Sequence, residues 1–446
     1  MADLQELASA ALAGAADGEA VEAYASEARR TQVKARREEV ESLSQSETRG
    51  VGVRVIVDGR LGYAWAADPT EEEARGLVAA AREGAQHAGE DEANVLPGPV
   101  PAEPLPDLFR EAQAALGPER KVALAIDLER ASVSEHPEVR KVEEVIYGDA
   151  VSRVALASTT GVSGEYARTD CWCVVIALAE RDGETQTGFS FASARELDEL
   201  DWRATAAEAA LRGARLLGGR KPESEHLPVV LDPWAVTSFL GVLAGALSAE
   251  EAQKGRSLFA DRVGEQVGAP SVSVVDDGRL ADGPASAPFD DEGVPTGRTP
   301  LIDGGVLRGF LHNTATAARA GAVSTGNAGR AGYRGVPGVS PTNLFLAAGP
   351  DDAEAVLRAA GRGVYVQDVT GVHSGANPVS GEFSVGASGL RIEDGRLGEP
   401  LREMTIASTL LGMLSGIAAI GSDLRFFPGG VGAPTVLVGE MSVAGA

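Results

Sequence analysis

Apolar and polar positions in the first 95 residues switch between two periods. Residues 3–12 have the spacing of an amphipathic helix, whereas 21–25, 31–34, 52–57 and 61–66 read as β-like segments. Asp58-Gly59 between the last two is a strong hairpin signal. Thr70 predicts the cap of a helix running to about residue 88, with Glu73 as its capping-box partner. An N-terminal α+β domain over 1–95, built on an antiparallel sheet, is the expectation.

From 96 to 106 the sequence LPGPVPAEPLP supplies five prolines, which block helix and central strand alike. Residues 96–117 are therefore expected to form a semi-rigid connector. A central α+β domain follows over 118–222, with a helix at 118–131, β-like segments at 139–147, 151–157, 164–179 and 185–191, and a helix at 198–217 closed by Gly218-Gly219. The domain over 223–446 opens with a strand at 227–231 and a helix at 233–247 that starts on Pro233. Further strands are predicted near 271–275, 301–311, 344–347, 364–369, 383–392 and 435–438, and helices near 314–320, 351–360 and 405–420. The fold class is α+β: an N-terminal mixed region with an antiparallel sheet, then a large, mostly antiparallel β-sheet domain with packed helices.

Composition narrows the function. A net charge of −25 argues against binding a phosphate backbone, and no Lys/Arg cluster outweighs its acidic surroundings. The N-terminus lacks a basic region before its apolar residues and no run of 18 apolar residues exists, so a soluble cytoplasmic protein is expected, with no membrane partner. Cys171 and Cys173 lie two apart on an apolar run, which in a strand points both to one face; with no further cysteine they read as small buried hydrophobes. The five histidines are scattered without helical ligand spacing. Asp276, Asp277, Asp282, Asp290, Asp291 and Glu292 lack the order of a calcium loop and read as a hydrated turn. There is no G-x-S-x-G elbow and no Walker loop.

Two loops stand out as binding candidates. In VTGVHSGANPVSGEF, Gly371, Gly375 and Gly381 permit positive φ around His373, Ser374 and Asn377, which suits close approach to a ligand or another chain; an ordered surface turn is the plainer alternative. Between Gly326 and Gly338 a glycine recurs every third residue, too briefly for a collagen helix. That loop, which includes Asn327, either orders Arg330, Tyr333 and Arg334 against a peptide or partner carboxylate or stays mobile.

The run from Val369 to Glu403, together with FDDEGVPTGRTPLIDGGVLRGFLHN, STGNAGRAG, SPTNLFLAAG and GAPTVLVGEMSVAG, resembles the TldD/PmbA family, in order and across most of the C-terminal half. In that family a zinc peptidase subunit pairs with a metal-free companion. The peptidase subunit carries a His-Glu-x-x-x-His motif on the helix after the first C-terminal strand and a cysteine ligand in a loop before its last strands. Here the corresponding segments, WAVTSFLGVLAGALSAEEAQKGRS and SDLRFFPGGVGAP, hold neither histidine nor cysteine, and Glu250 and Glu251 read as solvated helix-end acids. The resemblance thus implies the PmbA (TldE) branch: no catalytic residue and no cofactor in this chain, and zinc in a TldD-like partner. It further implies a heterodimer that hydrolyses unfolded or small peptides, with a homodimer left open. A stand-alone amidase or peptidase acting on small peptide conjugates and a non-enzymatic regulator of a nucleic-acid enzyme are the alternatives.

Overall fold

The computed structural model describes residues 3–445. Its first sheet is built from six strands, β1 (Ala20–Arg36), β2 (Glu39–Val57), β3 (Arg60–Ala67), β4 (Val139–Ser158), β5 (Ser163–Arg181) and β6 (Glu184–Ala194). They lie in the order β3-β2-β1-β4-β5-β6, antiparallel throughout. Segments expected separately at 21–25 and 31–34 are one strand, because 26–30 keep their ladder to β2 on one side and β4 on the other. Segments 139–147 and 151–157 merge in the same way. The β1–β4 pairing joins chain from before and after the proline-rich stretch in one sheet. Asp58 and Gly59 both take positive φ at the β2–β3 turn, as their pairing predicts.

One face of this sheet is covered by helices. Leu4–Leu12 and Glu71–Gln86 each start on a complete capping box, Asp3 with Glu6 and Thr70 with Glu73. Leu7 and Val78 of these helices pack on Val21, Val53 and Val55. Pro118–Ser134 and Trp202–Ala214 cover the other half through Leu124, Leu128 and Ala209, packed on Val33, Val145 and both cysteines. Asp201 caps the last helix, so the span expected from 198 opens with a 3-10 turn and the helix proper begins at 202. Burial pushes both thiols up, Cys173 to about 11, so neither is a thiolate at neutral pH.

The C-terminal part holds two six-stranded sheets. In one, Glu225–Leu231, Gly363–Thr370, Glu382–Glu393, Arg396–Thr409 and Val436–Gly445 pair in succession, and Met404, Thr405, Ile406 and Ala407 bond back to the last strand, closing a ring. The other runs from Val306–Leu307 through Arg298–Asp303, Val274–Asp277, Leu344–Leu346 and Val431–Ala433 to Arg425–Phe427. Both are mostly antiparallel, each with one parallel pair. Pro233–Ala246 packs Phe239, Leu240 and Leu243 into the core between them. The helix expected at 405–420 is not one. Residues 404–407 bond to strands on both sides, and this ladder overrides the apolar run, leaving Leu410–Ser415 as a short helix before the strand Ile417–Ile420. Among the described residues no helix is long and apolar enough to cross a membrane.

Candidate functional site

The sheet's second face, away from its helices, meets the C-terminal part in a buried polar seam. Strand alternation puts Glu22 and Tyr24 of β1 on this face, and Arg54 of β2 stands opposite Glu22 in the ladder. Arg54 donates to Glu22 at 2.7 Å and to Glu292 at 2.8 Å. Arg330 bonds the other oxygen of Glu22, donates to the Asp291 carbonyl at 3.0 Å and lies over the Tyr24 ring at 4.9 Å. Burial pushes Glu22 up, but Arg330 and Arg54 outweigh it and hold the carboxyl below its usual range.

The acids expected to form a hydrated turn are instead mostly inside. Asp276, Asp290 and Glu292 are buried, and only Asp282 is exposed. Their solvent is replaced by fixed donors: Asp276 accepts from Asn327 at 2.7 Å and from the Thr342 amide and hydroxyl at 2.8 Å each. Asp290 accepts the backbone N–H groups of Glu292, Val294 and Ala328 at 2.9, 3.0 and 2.9 Å. Burial, and then the Glu292 charge, push Asp290 up to about 8 against the pull of these amides. A carboxyl raised in the folded state binds its proton there while the unfolded chain has lost it, so its contribution to stability declines as pH rises from about 4 to about 8. Asp290→Asn is predicted to remove this dependence: the difference in unfolding free energy between parent and variant should fall with pH across that window, by at most about 1.4 kcal/mol per unit. Denaturant titrations at pH 5, 7 and 9 measure it, and a constant difference contradicts the assignment.

The residues singled out in the sequence divide between this seam and the surface. Asn327, Arg330 and Tyr333 are in the seam. Asn327 bridges Asp276 and the Ser340 carbonyl, and Tyr333 lies against Gly50 and Gly52 while its carbonyl accepts from the Tyr63 hydroxyl at 2.8 Å. A Cβ at Gly50 would come within 2.5 Å of the Tyr333 ring, which is why glycine stands there. The loop expected to have little stiffness is thus pinned. The Arg330 guanidinium, expected to meet a peptide or partner carboxylate, meets this chain's own Glu22 and the Asp291 carbonyl instead, because a buried guanidinium demands a paired anion. Arg334 is exposed, its guanidinium 5.1 Å from the Trp65 ring centre.

His373, Ser374 and Asn377 lie together at the surface, on a short helical turn Val372–Gly375 and the bend after it. Of the three glycines expected to allow positive φ, Gly371 and Gly381 take it, whereas Gly375 closes the helical turn without it. The Asn377 side chain accepts from the Val379 and Ser380 amides at 2.8 and 3.1 Å and so shapes the bend, which borders an open concavity of about 580 Å³ running from Ser374 to Ser384. The sequence pointed to the residues of this loop but missed Glu22, Arg54 and Tyr63, whose importance comes from a register between distant strands.

The two segments that would carry zinc ligands in a peptidase subunit do come together. Trp234, at the start of Pro233–Ala246, packs on Phe427 with 5.4 Å between ring centres and on Phe189 at 4.5 Å. The carboxylates nearby are already bonded: Asp232 accepts from Arg212 at 2.8 Å, Glu208 receives Arg425 through two bonds of 2.7 and 2.9 Å, and Asp368 accepts from the Trp234 indole N–H at 3.2 Å. Burial pushes Glu208 up, but Arg425 outweighs it. Aromatic rings and arginine-bound carboxylates do not fit zinc, which takes imidazole, thiolate or free carboxylate. Among the described residues no three His, Cys, Asp or Glu side chains gather as metal ligands.

Comparison with known proteins agrees with this architecture. Residues 21–85, 101–217 and 224–445 match, respectively, domain 1, the central domain and the C-terminal domain of the PmbA/TldA metallopeptidases. The metalloprotease PmbA of Escherichia coli O157:H7 is 27% identical over 449 residues, covering 99% of this chain and 96% of that one. A Thermotoga maritima protein described as a modulator of a DNA gyrase superposes with a TM-score of 0.91 at 27% identity, covering 99% and 100% of the two chains. TldE from Thermococcus kodakarensis has the same fold, with a TM-score of 0.88 at 22% identity over 96% and 97%. With three successive domains matched along nearly its whole length, the chain belongs to the PmbA/TldD family of metallopeptidases.

Proposed function

We propose that this chain is the metal-free, TldE-like subunit of a heterodimeric zinc peptidase, and that it walls the chamber in which a TldD-like partner hydrolyses unfolded or small peptides. The observation that carries the reading is the Trp234–Phe427 contact, where aromatic packing occupies the junction of the two segments that bear zinc ligands in the peptidase subunit. His373, Ser374 and Asn377 are the exposed contacts for peptide or partner, with Arg334 on the second loop. Asn327, Arg330 and Tyr333 serve the same loop from beneath by fixing its path. Both subunits work in the cytoplasm in this reading.

Mixing tests it. The pure chain is expected to leave an unfolded casein substrate and short reporter peptides intact, and addition of the His-Glu-x-x-x-His subunit encoded in the same genome should produce zinc-dependent cleavage exceeding that of either subunit alone by at least about 100-fold. Cleavage by the pure homogeneous chain would favour a stand-alone amidase or peptidase. A role as modulator of a nucleic-acid enzyme has in its favour the descriptions of solved neighbours, among them the Thermotoga maritima protein, and equal cleavage with and without this chain would turn the reading that way.

A further inference from the structure

The proline-rich stretch encloses a slot against the first sheet. β6 pairs with β5 only from Cys171 onward, so Ser163 to Asp170 bond β4 on one side and, among the described residues, have no ladder on the other. The chain at 97–108 runs along that open side as a strap tied at both ends. Thr160 Oγ1 donates to the Pro97 carbonyl at 2.7 Å, and the Thr169 amide donates to the Leu108 carbonyl at 3.0 Å. Between the two ties strap and strand part, and Arg279 holds the strap from outside by donating to the Glu103 carbonyl at 3.2 Å. The space left between them is a concavity of about 710 Å³.

The sequence keeps this slot open. Pro99, Pro101, Pro104 and Pro106 have no N–H, so the strap cannot close onto the strand as a regular ladder. The strand, by contrast, is ready to pair. Its register with β4 is unbroken from Ser163 to Thr169, and the Thr169 amide points outward to the strap, so alternation turns the backbone of Ala167 and Glu165 the same way. Among the described residues neither of these amides has an acceptor. Each residue thus offers an N–H and a C=O to the slot, repeating about 7 Å apart along the strand. The floor is apolar: the Phe289 ring meets Tyr166 edge-on at 5.2 Å and lies against Gly164, where a Cβ would fall 2.8 Å from it. Val100, Leu105 and Leu108 of the strap line the opposite wall.

We infer that this slot binds a short extended peptide with apolar side chains, added as a strand to β5 at Glu165 and Ala167. Two observations choose that occupant. A donor and an acceptor repeated together at every second residue match the backbone of an extended chain, the mode by which sheet edges capture peptides. The strap closes the far side, so the slot admits one strand without a neighbour. A strand inside the folded sheet of a partner or of a second copy keeps its own neighbour and does not fit. The volume lies in the range of ligand pockets, roughly 300–1,000 Å³, which limits the bound segment to a few residues. The inference stands on the slot alone and does not require the zinc-bearing subunit.

The pure chain tests it, with the blocked pentapeptide acetyl-Thr-Val-Leu-Val-Thr-amide as probe. At saturating peptide the Glu165 and Ala167 amides should exchange with solvent at least about ten-fold more slowly than in the free chain. The fully N-methylated peptide, with the same side chains and no backbone donors, should bind at least about ten-fold more weakly by calorimetry. Ala167→Pro should keep the parent's unfolding midpoint, because the N–H it removes bonds nothing, and should weaken binding by a similar factor, whereas Val263→Asp, at a 56% exposed site outside the slot, should not. Equal binding of the two peptides to the parent chain, or binding that leaves both amides fast, overturns strand addition. Absence of binding at millimolar peptide overturns the site. Each of these results leaves the heterodimer standing, and a failed mixing experiment leaves the slot standing.

Discussion

Arg330→Ala is expected to lower the unfolding free energy by about 3–5 kcal/mol, the usual consequence of removing one partner from a buried ion pair. The reason lies in the count of charges. The guanidinium groups of Arg54 and Arg330 bond Glu22, Glu292 and the Asp291 carbonyl, while the Asp291 carboxylate accepts from the Arg330 backbone amide. Without Arg330, Glu22 is left with Arg54 alone, which Glu292 already shares, and the Tyr24 ring loses the cation above it. The loss should be partly reversed by Glu22→Gln in the same chain, because the uncompensated carboxylate is then gone. A double-mutant cycle in urea measures the coupling. A loss under about 1 kcal/mol, the range of exposed ion pairs, would mean that water reaches the seam.

That seam also marks where sequence reading reached its limit. Features set by neighbours in the chain were legible: the Asp58-Gly59 turn, the Thr70–Glu73 capping box, Pro233 at a helix start, and two cysteines sharing a face. Each depends on physics acting over two to four residues. The acidic stretch at 276–292 was misread because nothing nearby in sequence reveals its donors. Arg54 is 238 positions from Glu292, and Arg330 is 308 from Glu22. The helix expected at 405–420 failed for a related reason, since an apolar run of that length suits either state and the decision belongs to strands paired on both flanks.

The loop residues show the same division. Glycine spacing located the bend around His373, Ser374 and Asn377, and positive φ at Gly371 and Gly381 is a local property that sequence encodes. The same spacing at Gly326 to Gly338 suggested a pliant loop. Its path is fixed by Tyr333 on Gly50 and Gly52 and by Arg330 on Glu22, partners contributed by the first two strands. What the sequence did convey about chemistry was the lack of histidine and cysteine in two particular segments. The structure adds that these segments meet, and that Trp234, Phe427 and Phe189 pack where they do.

The largest effect expected of this protein concerns metal. A catalytic zinc site takes three protein ligands, and apparent affinities at structural sites correspond to about 10–16 kcal/mol, so the presence or absence of a site is close to all-or-none in a binding measurement. Near the Trp234–Phe427 junction Asp232 and Glu208 are held by Arg212 and Arg425, and freeing Asp232 for zinc would strand the buried Arg212 guanidinium. The decisive measurement is the zinc content of the pure, tag-free chain by elemental mass spectrometry after dialysis against micromolar zinc, beside the reconstituted heterodimer. The account predicts well under 0.1 zinc per chain for the first and about one per pair for the second, both following from a single open three-ligand site in the partner. One tightly held zinc per pure chain, ligated from within it, would contradict the account.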